Sequence, residues 1–139
     1  MTDQARVVYS YSTSVPDEPG QAFKVLATLV SAGIDLLGCS GTQSDSGARI
    51  DVVPADAAAF AALVERAALG FRRQKAGFLI QGDDRPGALA DHLSRLADTG
   101  INVTGVHGLA AGAGRWSAIL WIADRDLEAA ARALGTNLP

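Results

Sequence analysis

One short motif occurs twice in this chain, and the spacing of its copies limits the folds that the chain can adopt. The second copy runs from Asp84-Arg85-Pro86-Gly87 to Gly100-Ile101-Asn102. The first copy, 67 residues earlier, runs from Asp17-Glu18-Pro19-Gly20 to Gly33-Ile34-Asp35. Without a gap, residues 17–41 and 84–108 share nine identities in 25 positions, and four of the nine are glycines. A repeat that keeps glycines at the ends of elements indicates one backbone built twice.

Between the two ends of each copy, apolar residues recur with the spacing of a helix. In the first copy, the apolar residues from Ala22 to Leu29 fall at i, i+3, i+4 and i+7. This pattern predicts a helix over residues 21–32 that lies on a sheet. We expect Gly33 to end it as a left-handed cap, and the second copy predicts a matching helix over residues 88–99.

Short apolar segments around these helices complete the same order of elements in both copies. Each copy reads strand–helix–strand–strand–helix, with room for a last short strand. The chain is therefore expected to be α+β, with two ferredoxin-like βαββαβ modules over residues 1–72 and 73–139, each an antiparallel sheet with helices on one face. Because only five residues follow Leu134, the second module is expected to lack a full last strand, unless another part of the assembly supplies one.

Three further local patterns give specific expectations. The polar residues between Gly41 and Gly47 predict a turn, and Asp56 is a suitable N-cap for the second helix. Trp116 and Trp121 are five positions apart in one predicted strand, so they should point to opposite faces of the sheet. We therefore expect one ring in the core and the other on the open face, where another chain would cover it.

Composition excludes several classes of protein. A net charge of −3 gives no reason to expect nucleic-acid binding, and no run of about 18 apolar residues predicts a membrane span. The start of the chain does not resemble a signal peptide, and the single cysteine, Cys39, suits a reducing cytoplasm. Neither metal-ligand spacing nor a cofactor motif is present, so we expect no metal and no cofactor.

The motif Asp84-Arg85-Pro86-Gly87, followed by a helix and then by Gly100-Ile101-Asn102, resembles the signature of the ACT domain, a small module that senses amino acids. The resemblance covers both copies and is weaker in the first, where Glu18 and Asp35 depart from the usual pattern. It implies a tandem ACT protein without a catalytic domain. Such a protein would bind a small amino acid between paired modules, form a homodimer, and act on an unidentified enzyme or regulator.

The resemblance also implies candidate ligand-binding residues, first in the second copy. They are Asp84 and Gly87 in the loop before the helix, and Asn102 at the start of the next strand. The physical chemistry agrees, because the N–H groups and the dipole at a helix start favour a carboxylate, and a glycine allows close approach. Asn102 can both donate and accept hydrogen bonds, and Asp84 can pair with an ammonium group or cap the helix.

The matching residues of the first copy are Asp17, Gly20 and Asp35. Asp35 lacks the amide donor of Asn102, so the two sites are expected to differ. The resemblance also implies that one site can combine the loop of one module with the strand of the other, so that Gly87 would work with Asp35 and Gly20 with Asn102.

Two other functions fit the same sequence. The first is an interaction module that dimerises without a ligand, which Asp35 and the short end of the second copy favour. The second, more remote, is an acylphosphatase-like hydrolase that would use Arg85 and Asn102 to hold a phosphate, although Asp84 beside the loop opposes it. Since the predicted strands lack an aromatic stacking pair, an RNA-binding module of this plan is not expected.

Overall fold

The computed structural model describes residues 3–139 and shows an α+β protein. The strands are β1 (Gln4–Val15), β2 (Leu36–Ser44), β3 (Gly47–Pro54), β4 (Arg72–Asp83), β5 (Val103–Gly112) and β6 (Arg115–Ile122). The helices are α1 (Gln21–Ser31), α2 (Ala57–Ala67), α3 (Ala88–Asp98) and α4 (Leu127–Leu134), and a 3-10 turn, Asp124–Asp126, precedes α4.

The six strands are hydrogen-bonded in the order β2-β3-β1-β4-β6-β5. β3 is antiparallel to both β1 and β2, and β6 is antiparallel to both β4 and β5. The order places the two strands of each predicted hairpin side by side. It also leaves β2 and β5 at the ends of the order, each with a single neighbouring strand.

The chain divides into two compact units. The first unit is the chain up to Val8 together with Lys75–Pro139, and the second unit is Tyr9–Gln74. β1 and β4 therefore each contribute residues to both units. The predicted module boundary between residues 72 and 73 lies at the start of β4, and the two-module division stays a prediction.

The core of the second unit lies between its two helices and strand β3. Leu29 of α1 and Phe60 of α2 are buried in one apolar cluster with Val52 of β3. As predicted, Asp56 caps α2, and its carboxylate accepts a hydrogen bond from the N–H of Ala59 at 3.0 Å. The helices thus cover the same side of β3, as a split βαβ fold requires.

The core of the first unit uses residues from the start of the chain. Phe78 of β4, Leu96 of α3 and Leu120 of β6 are fully buried in it, and Ala5 and Val7 of β1 pack against it. Within residues 3–139, α4 is the last helix or strand. The start of β1, next to β4 in the order, fills the position of the missing last strand.

The glycine at the end of the repeated motif has the same role in both copies. Gly33 and Gly100 have φ of +74° and +75°, and each follows a helix, as predicted. The next N–H donates back into the last turn, from Ile34 to the Leu29 carbonyl and from Ile101 to the Leu96 carbonyl, at 3.0 Å in both. This hydrogen-bonded left-handed ending needs a residue that tolerates positive φ, which explains the repeated glycine.

The expectation that one tryptophan lies on an uncovered sheet face is wrong. Trp121 is only 6% exposed, and its register partners on β4 and β5 are Gly77 and Gly105. A Cβ atom at Gly77 would lie 2.8 Å from the Trp121 ring, and one at Gly105 would lie 3.2 Å from it. The two glycines leave room for the indole against the sheet, and the Lys75 Nζ atom lies 5.9 Å from its centroid. The chain therefore covers this ring with its own residues.

The predicted polar turn between Gly41 and Gly47 is shorter than expected. β2 continues to Ser44, which pairs with Gly47, so only Asp45 and Ser46 form the turn. Backbone pairing along β3 overrides the weak strand propensity of this polar segment.

Candidate functional site

In the second copy, the loop between β4 and α3 is held by the hairpin of β5 and β6. The Asp84 N–H donates to the Gly114 carbonyl at 2.8 Å. Beside it, an Arg115 Nη1 donates to Asp83 Oδ1 at 2.8 Å, and this hydrogen bond lowers the pKa of the Asp83 carboxyl group. These contacts fix the start of the loop, while the Asp84 side chain remains exposed.

Gly87 occupies the N-cap position of α3 and has φ of +85°. Its carbonyl accepts from the N–H of Asp91 at 3.0 Å, and no side chain caps the helix. A Cβ atom at Gly87 would meet only Arg85 Nη1, at 3.8 Å. The positive φ alone therefore explains the glycine. The Ala88 N–H donates to the Arg85 carbonyl oxygen at 3.2 Å, and no side chain caps the other N–H groups of the first turn.

Arg85 folds over the first turn of α3 and forms an ion pair with Asp91. This hydrogen bond lowers the pKa of the Asp91 carboxyl group and raises that of Arg85. Because the guanidinium group already has a carboxylate partner, it is poorly placed to hold a phosphate. The hydrolase alternative thereby loses its main cationic group.

Asn102 lies at the other predicted position, between the end of α3 and the start of β5. Its side chain is exposed and makes no hydrogen bond within residues 3–139. The Asp84 side chain likewise has no hydrogen-bonding partner among the described residues. A loop carboxylate and a strand amide are thus both open to a ligand, but no direct contact joins them.

The first copy has the same backbone with a different side-chain arrangement. Gly20 has φ of +89° and begins α1 without a side-chain cap, as Gly87 begins α3. The Asp17 carboxylate, however, accepts a hydrogen bond from the Gln43 side chain. Asp35 is exposed, and its carbonyl accepts from the Ala55 N–H at 2.9 Å. The Asp17 carboxylate therefore has a hydrogen-bonding partner in the described chain, whereas the Asp84 carboxylate has none there.

The first unit also contains a polar cluster around His92, which no sequence pattern revealed. The buried His92 has its Nε2 atom 2.7 Å from Asp3 Oδ2, and its Nδ1 atom 2.5 Å from an Arg95 Nη2. Its ring lies 5.9 Å from that of Trp116, whose buried Nε1–H has no hydrogen-bonding partner in the described chain. Asp3 and His92 are 89 residues apart, so no local pattern could reveal their contact.

A groove of about 360 Å³ in the first unit is lined in part by Asp3 of this cluster. None of the predicted ligand-binding residues lines it. The lining residues are Asp3, Gln4, Ala5, Arg6, Gln81, Leu134 and Gly135.

The described residues give no sign of a metal centre or a membrane span. Residues 3–139 contain no group of three His, Cys, Asp or Glu side chains that could hold a metal ion. Every helix in this part of the chain is too short or too polar to cross a bilayer.

Comparison with known proteins identifies the fold. No family model matches the sequence, and no curated protein matches it. Among solved structures, the protein BT0572 from Bacteroides thetaiotaomicron has a TM-score of 0.72 at 19% identity, over 94% of this chain and 88% of that one. The ligand-free regulatory subunit of aspartate kinase from Thermus thermophilus has a TM-score of 0.60 at 23% identity, over 96% and 94% of the two chains.

A third similar structure is Escherichia coli aspartokinase III in complex with lysine and aspartate. Its TM-score is 0.55 at 14% identity, and the match covers 96% of this chain and 32% of that enzyme. At these identities the likeness concerns the fold. The chain thus shares its fold with the regulatory subunit of aspartate kinase from Thermus thermophilus.

Proposed function

We propose that this chain is a non-catalytic regulatory protein that binds a small amino acid at interfaces between its ACT-like modules. The observation that carries the proposal is the repeated pairing of an uncapped helix start with an exposed polar side chain at the next strand start. In the second copy these are the start of α3 at Gly87 and the side chain of Asn102, with Asp84 nearby in the loop.

The chemistry of these groups suits a zwitterion. The positive dipole end of α3 and the first-turn N–H groups that no side chain caps attract a carboxylate. The unpaired Asp84 carboxylate attracts an ammonium group, and Asn102 can bond to either end of the ligand. Similar structures support the proposal, because two are described as regulatory subunits of aspartate kinase and one contains lysine and aspartate.

Two pairings of the modules fit this proposal. If one site combines Gly87 with Asn102, the ligand meets an amide beside the helix start. If it combines Gly87 with Asp35, the ligand meets the Asp35 carboxylate in addition to that of Asp84. These negative charges favour the ammonium group of the ligand. A homodimer and an unidentified enzyme or regulator that responds to the ligand are also part of the proposal.

A thermal-shift panel of the common amino acids at millimolar concentration tests ligand binding. A ligand at a hundred times its Kd stabilises the folded state by about 2.7 kcal/mol, which is easily measured as a rise in melting temperature. No rise with any amino acid, while a control protein responds to its own ligand, would contradict the proposal.

Gly87→Ala tests the position of the site, and Gly100→Ala is its matched control. Both glycines have similar positive φ and open surroundings, so both variants should lose about 1 kcal/mol of stability from backbone strain. Only Gly87→Ala adds a methyl group at the helix start. We expect the amino-acid response to weaken in Gly87→Ala and to persist in Gly100→Ala. Equal responses in both variants would place the site elsewhere.

The ligand-free interaction module remains a second candidate, because the Asp17 carboxylate is already bonded to Gln43 and is less available to a ligand. In that case, Asn102→Ala would change neither association nor melting temperature in the presence of any amino acid.

A further inference from the structure

The carboxylate of Asp3 lies in a small pocket of the first unit, which we call the Asp3 pocket. Its walls are Gly82 of β4, His92 of α3 and Trp116 of β6. His92 and Trp116 are 4% and 6% exposed, and the Asp3 side chain is 16% exposed. None of these residues belongs to the loop and strand positions proposed above to bind an amino acid, so the pocket needs an explanation of its own.

Two N–H donors face the Asp3 carboxylate. Because the Arg95 guanidinium can only donate, His92 Nδ1 must accept from it, and the ring proton is on Nε2, 2.7 Å from Asp3 Oδ2. The second donor is the buried Nε1–H of Trp116, which has no acceptor within hydrogen-bonding distance in the described chain. Two donors beside one another suit a carboxylate, which offers an oxygen to each.

Gly82 provides the space for that carboxylate. It lies opposite Trp116 in the pairing of β4 with β6. A Cβ atom at Gly82 would lie 1.8 Å from Asp3 Oδ1 and 3.1 Å from Trp116 Nε1. Gly82 is not among the glycines with positive φ, so its backbone conformation does not require glycine. The room that the Asp3 carboxylate occupies does require it.

The walls of the pocket are held by contacts that do not involve Asp3. Trp116 lies in a central strand, where it is paired with Gly82 on one side and Ala110 on the other. The His92 ring is fixed by its contact with Arg95, and its centroid lies 5.9 Å from that of the Trp116 ring. The pocket should therefore keep its shape when the carboxylate is removed, as a preorganised binding site does.

The surroundings of the pocket favour a negative charge. Arg95 lies behind His92, and Arg6 lines the groove that Asp3 also lines. The pKa of Arg85 is raised mainly by its hydrogen bond with Asp91, and the negative charge of Asp3 raises it further. The groove of about 360 Å³ beside the partly exposed Asp3 also gives a small molecule access to this region.

We propose that the Asp3 pocket is a carboxylate-binding site, which this chain fills with its own Asp3. The site takes one carboxylate group, either that of Asp3 or that of a small free carboxylate such as acetate. In the intact chain the covalent connection keeps Asp3 at a high effective concentration, so a free carboxylate competes poorly. Because Asp3 directly precedes β1, its binding in the pocket holds the first residues of β1 beside β4.

Removing the carboxylate from the chain and returning it in solution tests the proposal. Asp3→Ala empties the pocket, and the matched control is Asp84→Ala, which removes an exposed carboxylate with the same change in net charge. Melting temperatures are compared in sodium acetate and in sodium chloride of equal ionic strength at neutral pH. A general effect of the salt would shift all three proteins alike. We expect acetate at ten times its Kd to raise the melting temperature of Asp3→Ala alone, by about 3 °C.

Gly82→Ala shows whether acetate binds in the pocket itself. In Asp3→Ala, the added methyl group would occupy the place of the carboxylate, so the acetate effect should disappear. In the intact chain, the same methyl group clashes with Asp3 Oδ1, so Gly82→Ala should lower the melting temperature more there than in Asp3→Ala. Asn102→Ala in the Asp3→Ala chain should leave the acetate effect unchanged.

An acetate effect of equal size in Asp3→Ala and Asp84→Ala would overturn the proposal, and so would one that persists after Gly82→Ala. If Asp3→Ala is largely unfolded, circular dichroism in the same two salts measures whether acetate restores folded protein, and no recovery would also overturn it. Acetate has no ammonium group, so failure of this test leaves the proposed amino-acid site intact. A failed amino-acid panel likewise leaves the Asp3 pocket intact.

Discussion

The hydrogen bond between Asp3 and His92 is expected to hold the start of β1 in the first unit. His92 Nε2 lies 2.7 Å from Asp3 Oδ2, and the two side chains are 5% and 16% exposed. Since the Arg95 guanidinium can only donate, His92 Nδ1 accepts from it and Nε2 donates to Asp3. Both ring nitrogens are therefore used, and replacing His92 removes a contact from each side.

A double-mutant cycle with Asp3→Ala and His92→Phe measures this contact. A hydrogen bond to a charged group contributes about 1.5–3 kcal/mol to the free energy of unfolding. Because Asp3 is partly exposed, we expect a coupling energy of about 2 kcal/mol between the two substitutions. Phenylalanine keeps a ring beside Trp116, so the cycle removes the hydrogen bond with little loss of packing. Each single variant should be destabilised by at least the coupling energy.

Urea unfolding followed by tryptophan fluorescence is a suitable assay, because Trp116 and Trp121 both belong to the first unit. Asp98→Ala is the control, since Asp98 is exposed on α3 and should change stability by no more than about 0.5 kcal/mol. A coupling energy below about 0.5 kcal/mol would show that Asp3 and His92 do not stabilise each other. The first residues of β1 would then be held by their pairing with β4 and by the packing of Ala5 and Val7.

Two further predictions concern the sheet and the loop. Gly77→Ala should destabilise the fold by about 3 kcal/mol, because its Cβ would lie 2.2 Å from the Leu120 carbonyl oxygen. In Gly41→Ala the nearest atom is 3.7 Å away, and urea midpoints should show almost no loss. Because the bond to Arg85 lowers the pKa of Asp91 below 3.8, this pair stabilises the fold above that pH and is lost as the pH falls through the lower folded value. Asp91→Asn should therefore flatten the decline of melting temperature between about pH 4 and pH 2, and an unchanged decline would contradict this assignment.

Most of the fold followed from the sequence because the repeat constrained both halves at once. Helix starts at Gly20 and Gly87 and helix ends at Gly33 and Gly100 were predictable, since each depends on local backbone geometry. The N-cap at Asp56 was predictable for the same reason.

The last strand of the first unit could not be located from local patterns. The strand beside β4 in this unit is the start of β1, which lies at the other end of the chain from α4. The burial of Trp121 was also missed, because it depends on Gly77 and Gly105 of two neighbouring strands. In both cases the determining contacts join residues far apart in sequence.

The structure also changes which residues carry information about function. Gly20 and Gly87 are sufficiently explained by their positive φ, so their presence in both copies says more about the backbone than about a ligand. The same holds for Gly33 and Gly100. Most positions that differ between the copies lie outside the cores, although His92 is buried where the first copy has Val25.

These differences fall mainly on exposed positions near the helix starts and the outer edges. Asp35 replaces the amide of Asn102, and Glu18 stands at the position of Arg85. Because these side chains lie outside both cores, their divergence did not arise from packing. We therefore expect the positions that differ between the copies, more than the shared glycines, to decide any difference in binding between the two loops.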